Sequence, residues 1–232
     1  KTSLEKIETM SKPASSFNPS LKDYGGLISE DLNSRKNIEV YNVYDLCAKT
    51  LYNFIDKNSS EIKKVVQIGC GALDIINEYL SSKFENIKFI SNDLMIDLEE
   101  IHIKEFDNFK NKKNWECLVG YQIDLLKENS INGDLVFSKS ILCAHSPKEL
   151  DELFNLYKKN NFKFIFISEK WHPNINNINI FKLDRPENII KNQPYINGYF
   201  HHNYFNALDQ NGYDVLSSDI YVVKNSKNKN FD

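Results

Sequence analysis

Short apolar runs alternate with helical patterns along most of this 232-residue chain, and this alternation constrains its fold more than any other feature. The runs that predict strands are residues 64–69, 87–93, 116–123, 134–140, 162–168 and 213–223. The helical patterns between them cover about 73–83, 95–109, 147–159 and 202–211. This order is typical of a parallel sheet with helices on both faces. We therefore predict an α/β, Rossmann-like fold with a mostly parallel sheet.

The two ends of the chain add detail to this prediction. Residues 1–36 are polar and contain two prolines and a glycine pair, which indicates an N-terminal arm before a single domain over 37–232. Apolar residues at intervals of three and four predict an amphipathic helix over 38–55. The last apolar run is long enough to break near Ser217, so we expect an antiparallel strand pair at the end of the sheet.

Composition narrows the function classes. The formal net charge of -3 argues against a protein that mainly binds a nucleic-acid backbone. The four cysteines form no CxxC pair, and buried reduced thiols are what a reducing compartment favours. No apolar run reaches the roughly 18 residues of a membrane span, and no signal-peptide pattern opens the sequence. We expect a cytoplasmic protein whose partner is a small molecule.

The stretch 65-VVQIGCGALDI-75 joins the first predicted strand to the first helix that follows it. Glycine accepts positive φ and leaves no Cβ between the backbone and a ligand, so Gly69 and Gly71 suit a ligand-binding turn. Ligands of such sheets bind beyond the carboxyl ends of the strands. Asp93 follows Gly71 by 22 residues, at the end of the second predicted strand, where an acid can accept ribose hydroxyl hydrogens. We predict a nucleotide-type cofactor rather than a plain chain reversal.

The third glycine of the dinucleotide fingerprint is absent from this turn. Asp74 occupies its position and would place a carboxylate against a pyrophosphate, which disfavours a nicotinamide dinucleotide.

These motifs resemble the class I S-adenosylmethionine-dependent methyltransferases. The stretch 65-VVQIGCGAL-73 is similar to their first motif, although Gln67 replaces the usual acid and Leu73 the third glycine. The stretches 90-ISNDL-94, 121-YQIDLL-126 and 134-DLVFSKSILCAHS-146 resemble the next three motifs, and 203-NYFNALDQNGYDVL-216 resembles the segment before the last strands. The resemblance covers roughly residues 60–224.

The resemblance implies S-adenosyl-L-methionine as the cofactor and assigns a set of residues to it. Asp93 would hold the ribose, and Asp124 would lie near the adenine amine. The implied cofactor-binding residues are Gln67, Gly69, Cys70, Gly71, Asp93, Leu94, Asp124, Leu125 and Ser138.

Methyl transfer to an alcohol needs alignment of the two reactants and a base that removes the acceptor's proton. We expect that base to be His145, after the fourth strand, with His172 and His202 as alternative catalytic residues. Each has a plainer interpretation: His145 could stack on adenine or cap a helix, His172 could lie in a solvated loop, and His202 could pack at a helix start. His102 is expected on a solvated helix face.

The long segment 171–200 is predicted to be a loop at the ligand-binding edge. Its tyrosines and Arg185 would suit a sugar that carries a phosphate or carboxylate. Glu169 with Trp171 and His172 would suit an acceptor pocket. No metal is expected, because the sequence has no HxH, CxxC or HExxH motif and Ser138 stands where metal-dependent relatives carry an acid.

Three functional hypotheses follow from the residues and the resemblance. The first is a methyltransferase that acts on an oxygen of a small polar acceptor, such as a sugar or surface-glycan precursor. The second is a catalytically inactive, methyltransferase-like binding subunit, which the substitutions Gln67 and Leu73 favour. The third, which Asp74 disfavours, is a nucleotide-linked oxidoreductase.

Overall fold

The structure is a computed structural model, which describes residues 41–71, 74–94, 96–105, 109–111, 113–169, 195–196, 199–200 and 202–218. The strands are β1 (Lys64–Ile68), β2 (Lys88–Asp93), β3 (Trp115–Val119), β4 (Leu135–Lys139), β5 (Phe164–Ser168), β6 (Tyr195–Ile196) and β7 (Tyr199–Phe200). The α-helices are α1 (Tyr41–Lys57), α2 (Ile75–Lys83), α3 (Leu98–Glu105), α4 (Gln122–Lys127), α5 (Pro147–Lys159) and α6 (Tyr204–Gln210). Single 3₁₀ turns occupy Phe109–Asn111 and Leu142–Ala144.

Strands β1 to β5 form one parallel sheet in the order β3-β2-β1-β4-β5. The chain runs outward from β1 to β3 and then returns to place β4 on the other side of β1. This reversal of direction lies between β1 and β4, and it opens a crevice at the carboxyl ends of these strands. The topology therefore places the segments after β1 and β4 side by side.

One face of the sheet is covered by α1, α2 and α3. Alternate strand residues such as Val65, Phe89 and Phe137 pack there against Leu51 and Leu80 of α1 and α2. Helix α3 contributes Leu98 and Ile101, which pack with Cys70 and Cys117.

The opposite face of the sheet is covered by α4, α5 and α6. Val66, Ile90 and Val136 lie on this face and pack in one core with Phe154 of α5 and Ala207 of α6. Since successive residues of a strand point to opposite faces, two apolar layers explain why the strands read as continuous apolar runs.

The predicted strands 64–69, 87–93, 134–140 and 162–168 and all five predicted helices in the described ranges are confirmed to within a few residues at each end. The Rossmann-like α/β class is confirmed with them. The predicted N-terminal arm lies outside the described residues, so its boundary at residue 36 stays a prediction.

Two local predictions were wrong. The run 116–123 was predicted as one strand, but β3 ends at Val119 and helix α4 begins at Gln122. Gly120, with φ 149°, ends the strand, and Ile123 and Leu126 then bury one side of the short helix. Ile123 and Leu126 are three residues apart, which is a helical spacing. The apolar residues of β3 come just before them and made the whole segment read as one strand.

The predicted antiparallel pair over 213–223 is not formed by the residues described there. Residues 213–218 contain no strand, and residues 219–223 lie outside the described ranges. Tyr213 donates its hydroxyl hydrogen to the carbonyl of Phe154 at 2.8 Å, and the chain then leaves Val215 and Leu216 exposed. All five strands of the main sheet are parallel, and an antiparallel pair appears instead as the two-residue strands β6 and β7.

Within the described ranges, no helix combines the length and the apolar character needed to cross a membrane.

Candidate functional site

The turn after β1 has the backbone conformation that its two glycines allow. Gly69 has φ 61° and Gly71 has φ 67°, in the left-handed region that favours glycine. A Cβ on Gly69 would lie 2.3 Å from Cγ1 of Ile141, so the segment after β4 packs directly on this glycine. A Cβ on Gly71 would meet no atom of the described residues within 4 Å. One glycine therefore allows close packing, and the other leaves its backbone open to a ligand.

The carboxylate of Asp93 fixes this turn from the end of β2. Oδ2 accepts a hydrogen bond from the backbone N–H of Gly71 at 2.8 Å, and Oδ1 accepts one from the N–H of Leu94 at 2.7 Å. The backbone N–H of Cys70 donates to the carbonyl of Asn92 at 3.0 Å, which extends the β1–β2 pairing into the turn. The structure thus brings together Gly71, Asp93 and Leu94, which the sequence assigned to the cofactor.

The carboxylate of Asp74 does not face the ligand side of the turn. The side chain is fully buried and caps α2 by accepting from the N–H of Asn77 at 3.2 Å. It also accepts from the Asn77 side chain and from the Ser91 hydroxyl. Burial raises its pKa, and nearby His102 and these hydrogen bonds oppose that rise. The expectation that Asp74 would meet a pyrophosphate was wrong, because this carboxylate points into the protein at the start of α2.

His102 is also buried, which contradicts the expectation of a solvated helix face. Its Nε2 lies 3.0 Å from the carbonyl oxygen of Gly71, and its ring packs near Phe109 and Trp115. Charged neighbours in sequence suggested exposure, but α3 turns this one polar residue toward the sheet. His102 therefore contacts the glycine turn from the face of the sheet that α3 covers.

Three other polar groups are buried at the carboxyl ends of the central strands. Gln67, Asn92 and Ser138 each have a side-chain oxygen that finds no hydrogen-bond partner among the described residues. Gln67 lies on the face covered by α1 to α3, while Asn92 and Ser138 lie on the opposite face. The amide of Asn92 donates to the carbonyls of Leu118 and Gly120 at 2.9 and 3.0 Å, which ties β2 to the end of β3.

Two further predicted cofactor residues, Asp124 and Leu125, lie in helix α4, after the end of β3. Asp124 is exposed in the first turn of α4. Leu125 is half-buried, and its side chain lies 3.2 Å from the position of a Cβ on Gly120. Leu73 lies outside the described residues. The adenine-side assignment of Asp124 stays a prediction.

His145 is held by partners at both ring nitrogens. The amide nitrogen of Gln122 contacts Nε2, and Nδ1 lies 3.2 Å from the carbonyl oxygen of Ile141. An amide NH₂ can only donate and a carbonyl can only accept, so Nε2 accepts and Nδ1 carries the proton. Burial lowers the pKa of this histidine. The lone pair that a base would use is therefore already engaged by Gln122.

Glu169 follows β5. The sequence predicted it as part of an acceptor pocket and assigned it no catalytic role. Its Oε1 accepts backbone hydrogen bonds from Ile141 and Leu142 at 2.9 and 3.0 Å. Its Oε2 is buried and has no hydrogen-bond partner among the described residues. Burial raises its pKa to about 7, against the opposing effect of the backbone hydrogen bonds. This carboxyl group is suited to proton transfer near neutral pH.

The other predicted catalytic histidines differ in position. His202 is fully buried, and its Nε2 lies 3.0 Å from the carbonyl oxygen of His145. Tyr204 is buried beside it, and burial together with Glu169 raises the pKa of its phenol. His172, Trp171 and Arg185 lie outside the described residues. The catalytic roles of the three histidines stay predictions.

Solved structures with a similar fold align with this chain, but the comparisons by sequence found no match. No protein-family model matches the chain, and no curated protein matches it. An O-methyltransferase family protein from Burkholderia thailandensis aligns with a TM-score of 0.51 at 11% sequence identity, over 93% of this chain and 64% of its own. The chain has the class I methyltransferase fold. This agreement confirms the predicted fold family.

Two further solved structures align less extensively. The plantazolicin methyltransferase BamL, in complex with a triazolic desmethylPZN analogue and SAH, gives a TM-score of 0.42 at 17% identity over 66% of this chain and 51% of its own. The bifunctional kinase-methyltransferase WbdD gives 0.43 at 13% identity over 64% of this chain and 33% of its own. The chain therefore spans between a third and two thirds of these three proteins.

The two glycines provide a matched pair for testing the turn. Gly69→Ala and Gly71→Ala both place an alanine at positive φ, which costs about 1–2 kcal/mol. Gly69→Ala also forces a methyl group against Ile141, and such overpacking costs a further 1–3 kcal/mol or so. We expect the larger loss of unfolding free energy for Gly69→Ala in urea denaturation. Equal losses for the two variants would contradict the packing of Ile141 on Gly69.

The raised pKa of Glu169 makes stability depend on pH. Between its ordinary pKa of 4.5 and about 7, the folded protein keeps a proton that the unfolded chain has released, so stability falls as pH rises through this window. Glu169→Gln keeps a carbonyl acceptor for Ile141 and Leu142 but cannot ionise. Its unfolding free energy relative to the wild type should increase from pH 4.5 to pH 8 by up to about 3 kcal/mol.

Urea denaturation at both pH values measures this difference, and Glu61→Gln serves as the control. Glu61 is exposed, so Glu61→Gln makes the same chemical change without altering the buried residues around β4 and β5. A Glu169→Gln difference that is the same at both pH values would contradict the burial of an ionisable Glu169.

Proposed function

We propose that the chain binds S-adenosyl-L-methionine at the turn after β1 and transfers its methyl group to an oxygen of a small polar acceptor. The observation that carries this proposal is the hydrogen bond from Gly71 to Asp93, at a glycine where an added Cβ would touch none of the described residues. A fold shared with an O-methyltransferase family protein supports both the cofactor and the acceptor atom.

Asp93 retains the capacity to hold a ribose while it fixes the turn. A carboxylate has about four lone-pair sites, and the Gly71 and Leu94 N–H groups use one on each oxygen. One site on each oxygen is therefore left for the two ribose hydroxyl hydrogens. Gly71 would allow the ligand to approach the backbone, and Leu94, Asp124 and Leu125 would line the adenine side. Gln67, Gly69, Cys70 and Ser138 would support the turn and the strands beneath it.

The bound cofactor would supply a sulfonium-activated methyl group. The protein's own contribution would be to align the acceptor, exclude water and remove the acceptor's proton. We assign proton removal to Glu169, because two backbone N–H groups orient Oε1 and leave Oε2 without a described partner. His145, held by Gln122 and Ile141, would position the segment after β4 instead.

The acceptor is proposed to be sugar-like, such as a surface-glycan precursor. The support for this class is chemical: Arg185 and the aromatic residues of segment 171–200 suit a sugar with an anionic group. The four cysteines are free thiols, which supports action in the reducing cytoplasm. A catalytically inactive binding subunit with the same fold is the alternative, and the following experiments separate the two.

Cofactor binding is tested by calorimetric titration with S-adenosylhomocysteine. The wild type should bind in the micromolar range, and Asp93→Asn should weaken binding at least about tenfold, because charge-assisted hydrogen bonds to the carboxylate contribute roughly 1.5–3 kcal/mol. Glu116→Gln is the control, because Glu116 pairs with Lys88 on the surface of β3. No binding by the wild type would leave the inactive subunit as the better description.

Base function is tested by release of S-adenosylhomocysteine from S-adenosylmethionine in the presence of polyhydroxylated acceptors. Glu169→Gln should lower turnover by about 10²–10⁴-fold with cofactor affinity unchanged. Wild-type turnover should rise with pH to a plateau above about pH 7, where Glu169 is ionised. A Glu169→Gln variant with normal turnover, or one in which His145→Gln is the slower, would return the base assignment to a histidine.

A further inference from the structure

Three side chains of different chemistry converge beneath the glycine turn. One ligand atom each from Cys70, Asp74 and His102 lies within 4.8 Å of the other two, and all three residues are buried. Cys70 comes from the turn itself, Asp74 caps α2, and His102 projects from α3. Thiolate, imidazole and carboxylate together are a donor set that Zn²⁺ accepts.

A cation would stabilise the buried carboxylate of Asp74. An ionised carboxylate is costly to bury unless it is paired or coordinates a metal. Its hydrogen-bond donors in the described structure are Asn77, through two groups, and Ser91. These three donors occupy one site on Oδ1 and two on Oδ2, so one of the roughly four lone-pair sites of the carboxylate is left, on Oδ1.

The hydrogen bonding of His102 fits the role of a ligand. Its Nε2 lies 3.0 Å from the carbonyl oxygen of Gly71, which can only accept, so Nε2 carries the proton and Nδ1 carries the lone pair. Metal-binding histidines commonly donate their other ring N–H to a backbone carbonyl in this way. Ser91 and Asn77 hold Asp74 in the same supporting role.

We propose that Cys70 Sγ, Asp74 Oδ1 and His102 Nδ1 form a zinc site that braces the turn from below. A small inward movement of the three side chains brings the ligand atoms to bonding distance of one ion. The fourth position is taken by a water molecule. The site departs from the sequence-based expectation of no metal, because Cys70 and His102 are 32 residues apart and match no short motif.

Binding should release one proton and change the chemistry of Cys70. The thiol loses its proton to the buffer when sulfur binds the ion, and no redox change takes place. The proton release is therefore measurable as a heat of binding that varies with the ionisation enthalpy of the buffer.

The test uses tag-free full-length protein that has been treated with a chelator and titrated with Zn²⁺ and, separately, with Co²⁺. We expect one equivalent of zinc, one proton released, and a thiolate-to-cobalt charge-transfer band. Cys70→Ser should abolish the band, and His102→Gln should weaken zinc binding by more than the roughly 10–100-fold typical of losing a supporting partner.

Cys47→Ser is the matched control, because Cys47 is a buried free thiol on α1 away from the cluster. It should retain the band and the zinc affinity of the wild type. Wild-type protein that binds no zinc would overturn the proposal, as would binding that Cys70→Ser and His102→Gln leave unchanged. The wild-type titrations test zinc binding even where a variant fails to fold. If the wild type binds no zinc, or if both substitutions leave binding unchanged, Cys70, Asp74 and His102 stabilise the turn through hydrogen bonds and packing only.

Discussion

The left-handed turn at Gly69–Gly71 is the constraint on which the structure at the carboxyl ends of the strands depends. It forms where β1 ends at the reversal of strand order, and the carboxylate of Asp93 holds it through the N–H of Gly71. Both glycines have positive φ, so the turn could not take this path with other residues without strain. The position of α2 and the orientation of Asp74 follow from it.

Two supports reach this turn from opposite faces of the sheet. From one face, His102 contacts the carbonyl of Gly71, and Asp74 is tied to Ser91 of β2. From the crevice between β1 and β4, the side chain of Ile141 packs on Gly69. The backbone N–H of Ile141 in turn donates a hydrogen bond to the carboxylate of Glu169. The group assigned to proton removal and the turn assigned to the cofactor are thus joined through a single residue. A parallel sheet makes this possible because the ends of β1, β4 and β5 meet at one edge.

The fold was predictable because the central strands β1, β2 and β4 are largely buried on both faces, so each of them reads as an apolar run. Gly69, Gly71 and Asp93 were predictable because the turn and the end of β2 lie at fixed positions in such a sheet. Helix α4 was missed because six residues give little helical periodicity next to a strand. The burial of His102 and the inward direction of Asp74 depend on how α2 and α3 pack, and local sequence does not encode that packing. Glu169 was visible as an acid after a strand, but its partners at residues 141 and 142 are 27 residues or more distant in sequence.

Crystals of the protein grown with S-adenosylhomocysteine would show whether the turn after β1 is the cofactor site. We predict ribose hydroxyls within hydrogen-bonding distance of Asp93, with the ligand passing over Gly71 and the Gly71–Asp93 bond retained. Density for the ligand at another place, or a ligand-free edge at saturating concentration, would contradict the assignment of this turn as a cofactor site.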